Sequence, residues 1–124
     1  MKPLYYLLFS AVLLTGCYQQ ERNCAGFKTG KFRAEYEIKG VKTTSVFERN
    51  DSISIETFQG KTDTSSVRWI NDCECIQQKI NPKNAAEKKA VDMKILTTKG
   101  NSYTFEFSIV GDTNKQKGTV TKIN

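Results

Sequence analysis

The chain has 124 residues, with 19 lysines and arginines against 13 aspartates and glutamates, and a formal net charge of +6. That length allows one domain with a modest core. It holds no histidine, which removes the commonest general base and the commonest metal ligand.

The first residues read as an export signal. Met1-Lys2-Pro3 gives a positive start, and Leu4 to Leu14 is apolar except for Ser10. The run is too short to cross a bilayer, which takes roughly 20 residues, and fits the apolar part of a signal peptide. Leu14-Thr15-Gly16-Cys17 resembles the bacterial lipobox. The resemblance implies cleavage before Cys17, a diacylglyceryl thioether on its sulfur and an acyl chain such as palmitate on its amine. Several acyl chains hold a protein stably where one does not. Tyr18 stands where Asp would retain a Gram-negative lipoprotein in the inner membrane, so an outer-membrane lipoprotein of the cell envelope is expected, with its face open. The chain divides into signal (1–16), lipidated tether (17–23) and β-barrel domain (24–124). The mature chain loses the charge of Lys2 and stays basic, which favours anionic neighbours such as headgroups, acidic glycans or phosphates.

From Cys24 on, the dominant period is two, the mark of strands with one apolar face. Phe32, Ala34, Tyr36 and Ile38 alternate with charged residues. Ile53, Ile55 and Thr57 alternate with Ser54 and Glu56, which puts the latter two on the wet face. Val91, Met93, Ile95 and Thr97 form a third apolar face, and Tyr103, Phe105, Phe107 and Ile109 a fourth. Weaker strands are predicted at 41–49, 63–70, 73–80 and 117–123. Lys39-Gly40, Asn50-Asp51, Gln59-Gly60-Lys61, Asn71-Asp72, Lys99-Gly100-Asn101 and Gly111 to Asn114 are turn signals. The longer connection 81–89 opens at Pro82 and has room for one helical turn at 85–89.

These elements predict an all-β domain: a single antiparallel up-and-down meander of about eight strands, closing into a small barrel that leaves no exposed edge. A two-sheet sandwich or an open sheet is the alternative. Gly30-Lys31-Phe32 resembles the Gly-x-Trp opening of lipocalin-like barrels, with Phe for Trp. Phe32, Tyr36, Trp69, Tyr103, Phe105 and Phe107 point inward on the alternation and predict a filled interior. Trp69 reads as a core aromatic, with ligand stacking as the functional alternative.

Cys17 is committed to lipid, leaving Cys24, Cys73 and Cys75 in an oxidising compartment. Cys73 and Cys75 share a face on one strand and do not bond each other. In a meander the odd-numbered strands start at one end. Cys24 precedes the first strand and Cys73 opens the fifth, so a Cys24–Cys73 disulfide is expected, with Cys75 as second choice. Three thiols without histidine lack a fourth metal ligand, and no cofactor is expected.

No catalytic constellation is present. The carboxylates fall mainly on wet strand faces or in turns, and neither a nucleophile elbow nor a phosphate loop occurs. The chain reads as a non-enzyme. Basic residues lack the aromatic interleaving of a single-strand nucleic-acid binder, so nucleic acid is not an expected partner.

The segment from Asp63 to Glu74, Asn81-Pro82-Lys83-Asn84, Met93 to Thr98 and Ser102 to Phe107 resemble a family of small bacterial lipoproteins of unknown function. The resemblance covers most of the mature chain and transfers no active site. Similar chains carry the name DNA topoisomerase IV, which these residues do not support: so small an exported domain has no room for a DNA gate.

Three roles follow as expectations. The first is a membrane-anchored binding module for an anionic ligand or envelope partner. The others are a structural or accessory subunit of an envelope assembly and a hydrolase inhibitor. The tether from Tyr18 to Asn23 reaches about 20 Å when extended, so the end bearing Cys24 lies near the lipid. The opposite end gathers Lys61, Lys83, Lys88, Lys89, Lys115 and Lys117, with Lys39 and Lys42 beside them, as a basic binding rim. Cys17→Ser is expected to abolish lipidation, leaving uncleaved precursor or released protein. Normal processing and membrane fractionation of that variant would contradict the lipobox.

Overall fold

A computed structural model describes residues 22–124; the signal, Cys17 and the rest of the tether up to residue 21 lie outside the described residues. A short 3-10 turn, Ala25–Phe27, precedes eight strands. They are β1 (Gly30–Ile38), β2 (Val41–Arg49), β3 (Ile53–Phe58), β4 (Lys61–Asn71), β5 (Glu74–Lys79), β6 (Val91–Lys99), β7 (Ser102–Ile109) and β8 (Gln116–Lys122). Each strand pairs antiparallel with the next, and β8 pairs back onto β1, so the predicted meander is a closed barrel.

Turn chemistry sets the hairpins. Lys39 and Gly40 have φ of 50° and 78°, and Gln59 and Gly60 have 49° and 77°. Two consecutive positive φ values match the right-handed twist of a tight hairpin. The β2–β3 turn is held by Asn50, whose side-chain oxygen accepts the backbone N–H groups of Ser52 and Ile53 at 3.0 and 2.8 Å. The predicted helical turn at 85–89 is only a hydrogen-bonded turn. Asn84 and Glu87 side chains accept the N–H groups of Glu87 and Lys83 at 2.9 and 2.6 Å, so the loop is satisfied without extending a helix.

Two predicted faces are corrected. On β6 a register shift between Ile95 and Thr97 breaks the alternation. It places Thr97 beside Thr104, with the hydroxyls 2.6 Å apart, instead of on the apolar face. On β3 the whole strand is inverted: Ser54 is 6% exposed and Ile55 43%. The cause is pairing. Arg49 opposes Ser54 and Phe47 opposes Glu56, and directly opposed residues share a face. Phe47 and Arg49 are buried, so Ser54 and Glu56 face inward with them.

One end of the barrel is closed. Phe27 plugs it, packed edge-on against Tyr103 at 5.1 Å between centroids, and Phe32 and Phe47 stack beneath at 5.0 Å. Arg49, only 2% exposed, donates to the backbone carbonyls of Phe27 and Lys28. Its guanidinium lies 4.9 to 5.3 Å from the ring centres of Phe32, Phe47 and Trp69. Cys24 and Cys73 are bonded, with Cα atoms 5.2 Å apart, and clamp the plug to the β4–β5 turn. Cys75 is a buried free thiol.

Replacing Cys24 and Cys73 together by serine is expected to lower stability by about 4 kcal/mol in the chain-entropy account of disulfides, because the bond closes a sequence separation of 49. The urea midpoint measures this; an unchanged midpoint would show that the clamp carries no stability.

Candidate ligand-binding cavity

The other end of the barrel is open. Above the plug lies a cavity of about 480 Å³, within the size range of small-molecule pockets. This corrects the predicted filled interior. An eight-stranded barrel either fills with side chains or holds one small ligand, and here the bulky residues are distributed unevenly. Phe32 and Tyr103 are committed to the closed end. Phe105 and Phe107 stack flat at 5.5 Å, and Tyr36 meets Phe107 edge-on at 5.7 Å, so these rings line one side instead of crossing the middle. Gly118 lets them do so. A Cβ there would stand 2.6 Å from the Phe105 ring and 2.8 Å from the Tyr36 Cβ.

The cavity has two unlike walls. Ala34, Tyr36, Val91, Met93, Phe105 and Phe107, from β1, β6 and β7, make one apolar and largely aromatic. Ser54 and Glu56 from β3, Asp63 and Ser65 from β4, and Gln77 and Lys79 from β5 make the other polar. The β3 inversion creates this second wall. Ser54 opposes Ser65, and Glu56 opposes Asp63.

Charge on the polar wall is incompletely matched. Lys79 reaches Asp63 at 3.4 Å and Glu87 at 3.2 Å. Glu56 has no ion pair among the described residues and accepts one long hydrogen bond, from Ser45 at 3.4 Å. Burial raises the Glu56 carboxyl above its ordinary value, and the charge of Asp63 adds to this against the pull of Ser45 and Lys79. The Tyr36 phenol is raised by burial and by the charge of Glu56. Glu87 is lowered, by the Lys83 backbone N–H and by Lys79. Among the described residues, no group of His, Cys, Asp and Glu side chains is suited to hold a metal ion.

The topology brings Lys61, Lys83, Lys88, Lys89, Lys115 and Lys117 to the open end, and all are exposed. Only Lys89 of these lines the cavity. Lys115 is paired with Glu106 at 3.1 Å. Trp69 contributes to the closed end under Arg49 and Lys28 and does not line the cavity. Cys17 lies outside the described residues.

Sequence reasoning missed Arg49, Ser54, Glu56, Asp63, Ser65, Gln77 and Lys79. Alternation within β3 favours the opposite face. The signal that finds them is the register fixed by the Asn50 turn, which is legible only once β2 and β3 are paired.

A carboxyl raised by folding makes its stability contribution when protonated, and that contribution is lost as pH rises through the raised value. Glu56→Gln is therefore expected to raise the melting temperature at pH above the raised value and to flatten part of the decline as pH rises from the ordinary carboxylate range through it. Melting curves of the two proteins across that range measure it. An identical pH profile would show that Glu56 ionises freely.

No model of a known protein family, no curated protein and no solved structure matches this chain, so its site is read from geometry alone.

Proposed function

We propose that the protein is a membrane-anchored binding module of the cell envelope that holds a small, largely apolar ligand inside its barrel. The observation that carries this reading is the open cavity of about 480 Å³ at the end opposite the disulfide plug. With Cys17 lipidated, the short tether keeps the plugged end beside the membrane and turns the mouth away from it. The protein acts by sequestering or presenting its ligand, without catalysis.

The lysine rim supports an additional contact with an anionic envelope partner around the mouth. Exposed Ile38, Val41, Ile80, Ile109 and Val110 lie at the same end and favour a second reading, an accessory subunit that docks there.

The test is titration of the full chain in lipid nanodiscs with 4-phenylbutanol, against empty nanodiscs, by calorimetry. Saturable binding is expected, weakened at least about tenfold by Ser65→Phe, which fills the cavity from its polar wall. Equal binding by a folded Ser65→Phe protein would place the ligand elsewhere and overturn the reading.

A further inference from the structure

Cross-strand pairs of like charge destabilise a sheet, and polar residues turned into a barrel interior are errors of patterning unless they serve a purpose. This barrel does both on one wall. Glu56 and Asp63 are directly opposed and both line the cavity. Lys79 is held by Asp63 and Glu87, and Lys89, which also lines the cavity, forms no ion pair among the described residues. One lysine thus serves two carboxylates, and Glu56 has none.

One level deeper, Ser54 is an independent sign of a ligand site. It is 6% exposed, lines the cavity, and has no hydrogen-bond partner among the described residues. Its hydroxyl is turned to the cavity, and Ser54 is next to Glu56 on the same face of β3. The opposite wall offers the rings of Tyr36, Phe105 and Phe107, which suit an apolar body.

We propose that the ligand of this cavity is a small organic amine, its ammonium bound between Glu56 and Asp63 and its apolar body laid against the aromatic wall. This deepens the binding-module reading and rests on it. An ammonium has three donors and no acceptor, which matches two carboxylates and the free hydroxyl of Ser54. A bare metal ion is a poorer match, since the described residues gather no metal-binding group. A bound cation also offsets the burial and the Asp63 charge that raise Glu56.

The experiment uses the full chain in nanodiscs and three probes that share one body: 4-phenylbutylamine, 4-phenylbutanol and 4-phenylbutyrate. At neutral pH the amine is expected to bind about tenfold tighter than the alcohol, as for hydrogen bonds to charged groups, and the acid weakest. Glu56→Gln keeps the shape of the side chain. It is expected to abolish the advantage of the amine over the alcohol. Asp63→Asn, at the exposed mouth, supplies the same readout should Glu56→Gln fail to fold. An alcohol that binds as tightly as the amine, or an amine preference that survives both substitutions, overturns the cation assignment while leaving the cavity reading intact. Failure of all three probes to bind overturns both.

Discussion

The guanidinium of Arg49 is buried at one end of the barrel without a carboxylate partner among the described residues. A buried charge is costly unless its donors are satisfied. Here backbone carbonyls of Phe27 and Lys28 accept from it, and three aromatic rings surround it. The carbonyls belong to the segment that plugs the barrel, so one side chain ties the N-terminal plug to the end of β2. Cys24–Cys73 adds a covalent clamp at the same place. The closed end thereby packs Phe27, Phe32, Phe47 and Tyr103 together, while in the other half the rings of Tyr36, Phe105 and Phe107 lie along one wall.

The same residue fixes the phase of the neighbouring strand. With Arg49 and Phe47 inside, the Asn50 turn sets Ser54 and Glu56 opposite them. Turning β3 over would bury Ile55, worth roughly 1.5–3 kcal/mol. It would also require a one-residue slip against β2 and the loss of the turn, because a slip moves every side chain to the other face. The pairing wins, and a polar wall results. Asp63 and Ser65 on β4 then continue that wall by opposing Glu56 and Ser54. The two-walled cavity is therefore a consequence of how the barrel is closed at its far end.

Much of the fold was legible in the sequence because it rests on local signals. Phe32-x-Ala34-x-Tyr36 and Tyr103-x-Phe105-x-Phe107 keep their faces, and Gly40, Gly60 and Gly100 mark real hairpins. Strand parity and the cysteine count favoured Cys24–Cys73 with Cys75 as second choice, and the bond is to Cys73. The site was less legible, because the face of β3 is decided by cross-strand register, a property of two segments together. Ile53 and Ile55 look like a core face until Phe47 claims the opposite side. The empty volume was hidden for a similar reason. Residue size along one strand does not tell whether rings cross the barrel or lie along its wall, and Gly118 on a different strand settles that. The lysines were assigned to the correct end, but of the six only Lys89 lines the cavity.

The orientation of β3 can be measured directly. In full chains carrying Ser54→Cys or Ile55→Cys, modification by a maleimide on a polymer too bulky to enter the barrel reports which residue faces outward. The inverted strand predicts rapid modification at position 55 and protection at position 54. Rapid modification at 54 with protection at 55 would contradict the polar wall and the cavity built upon it.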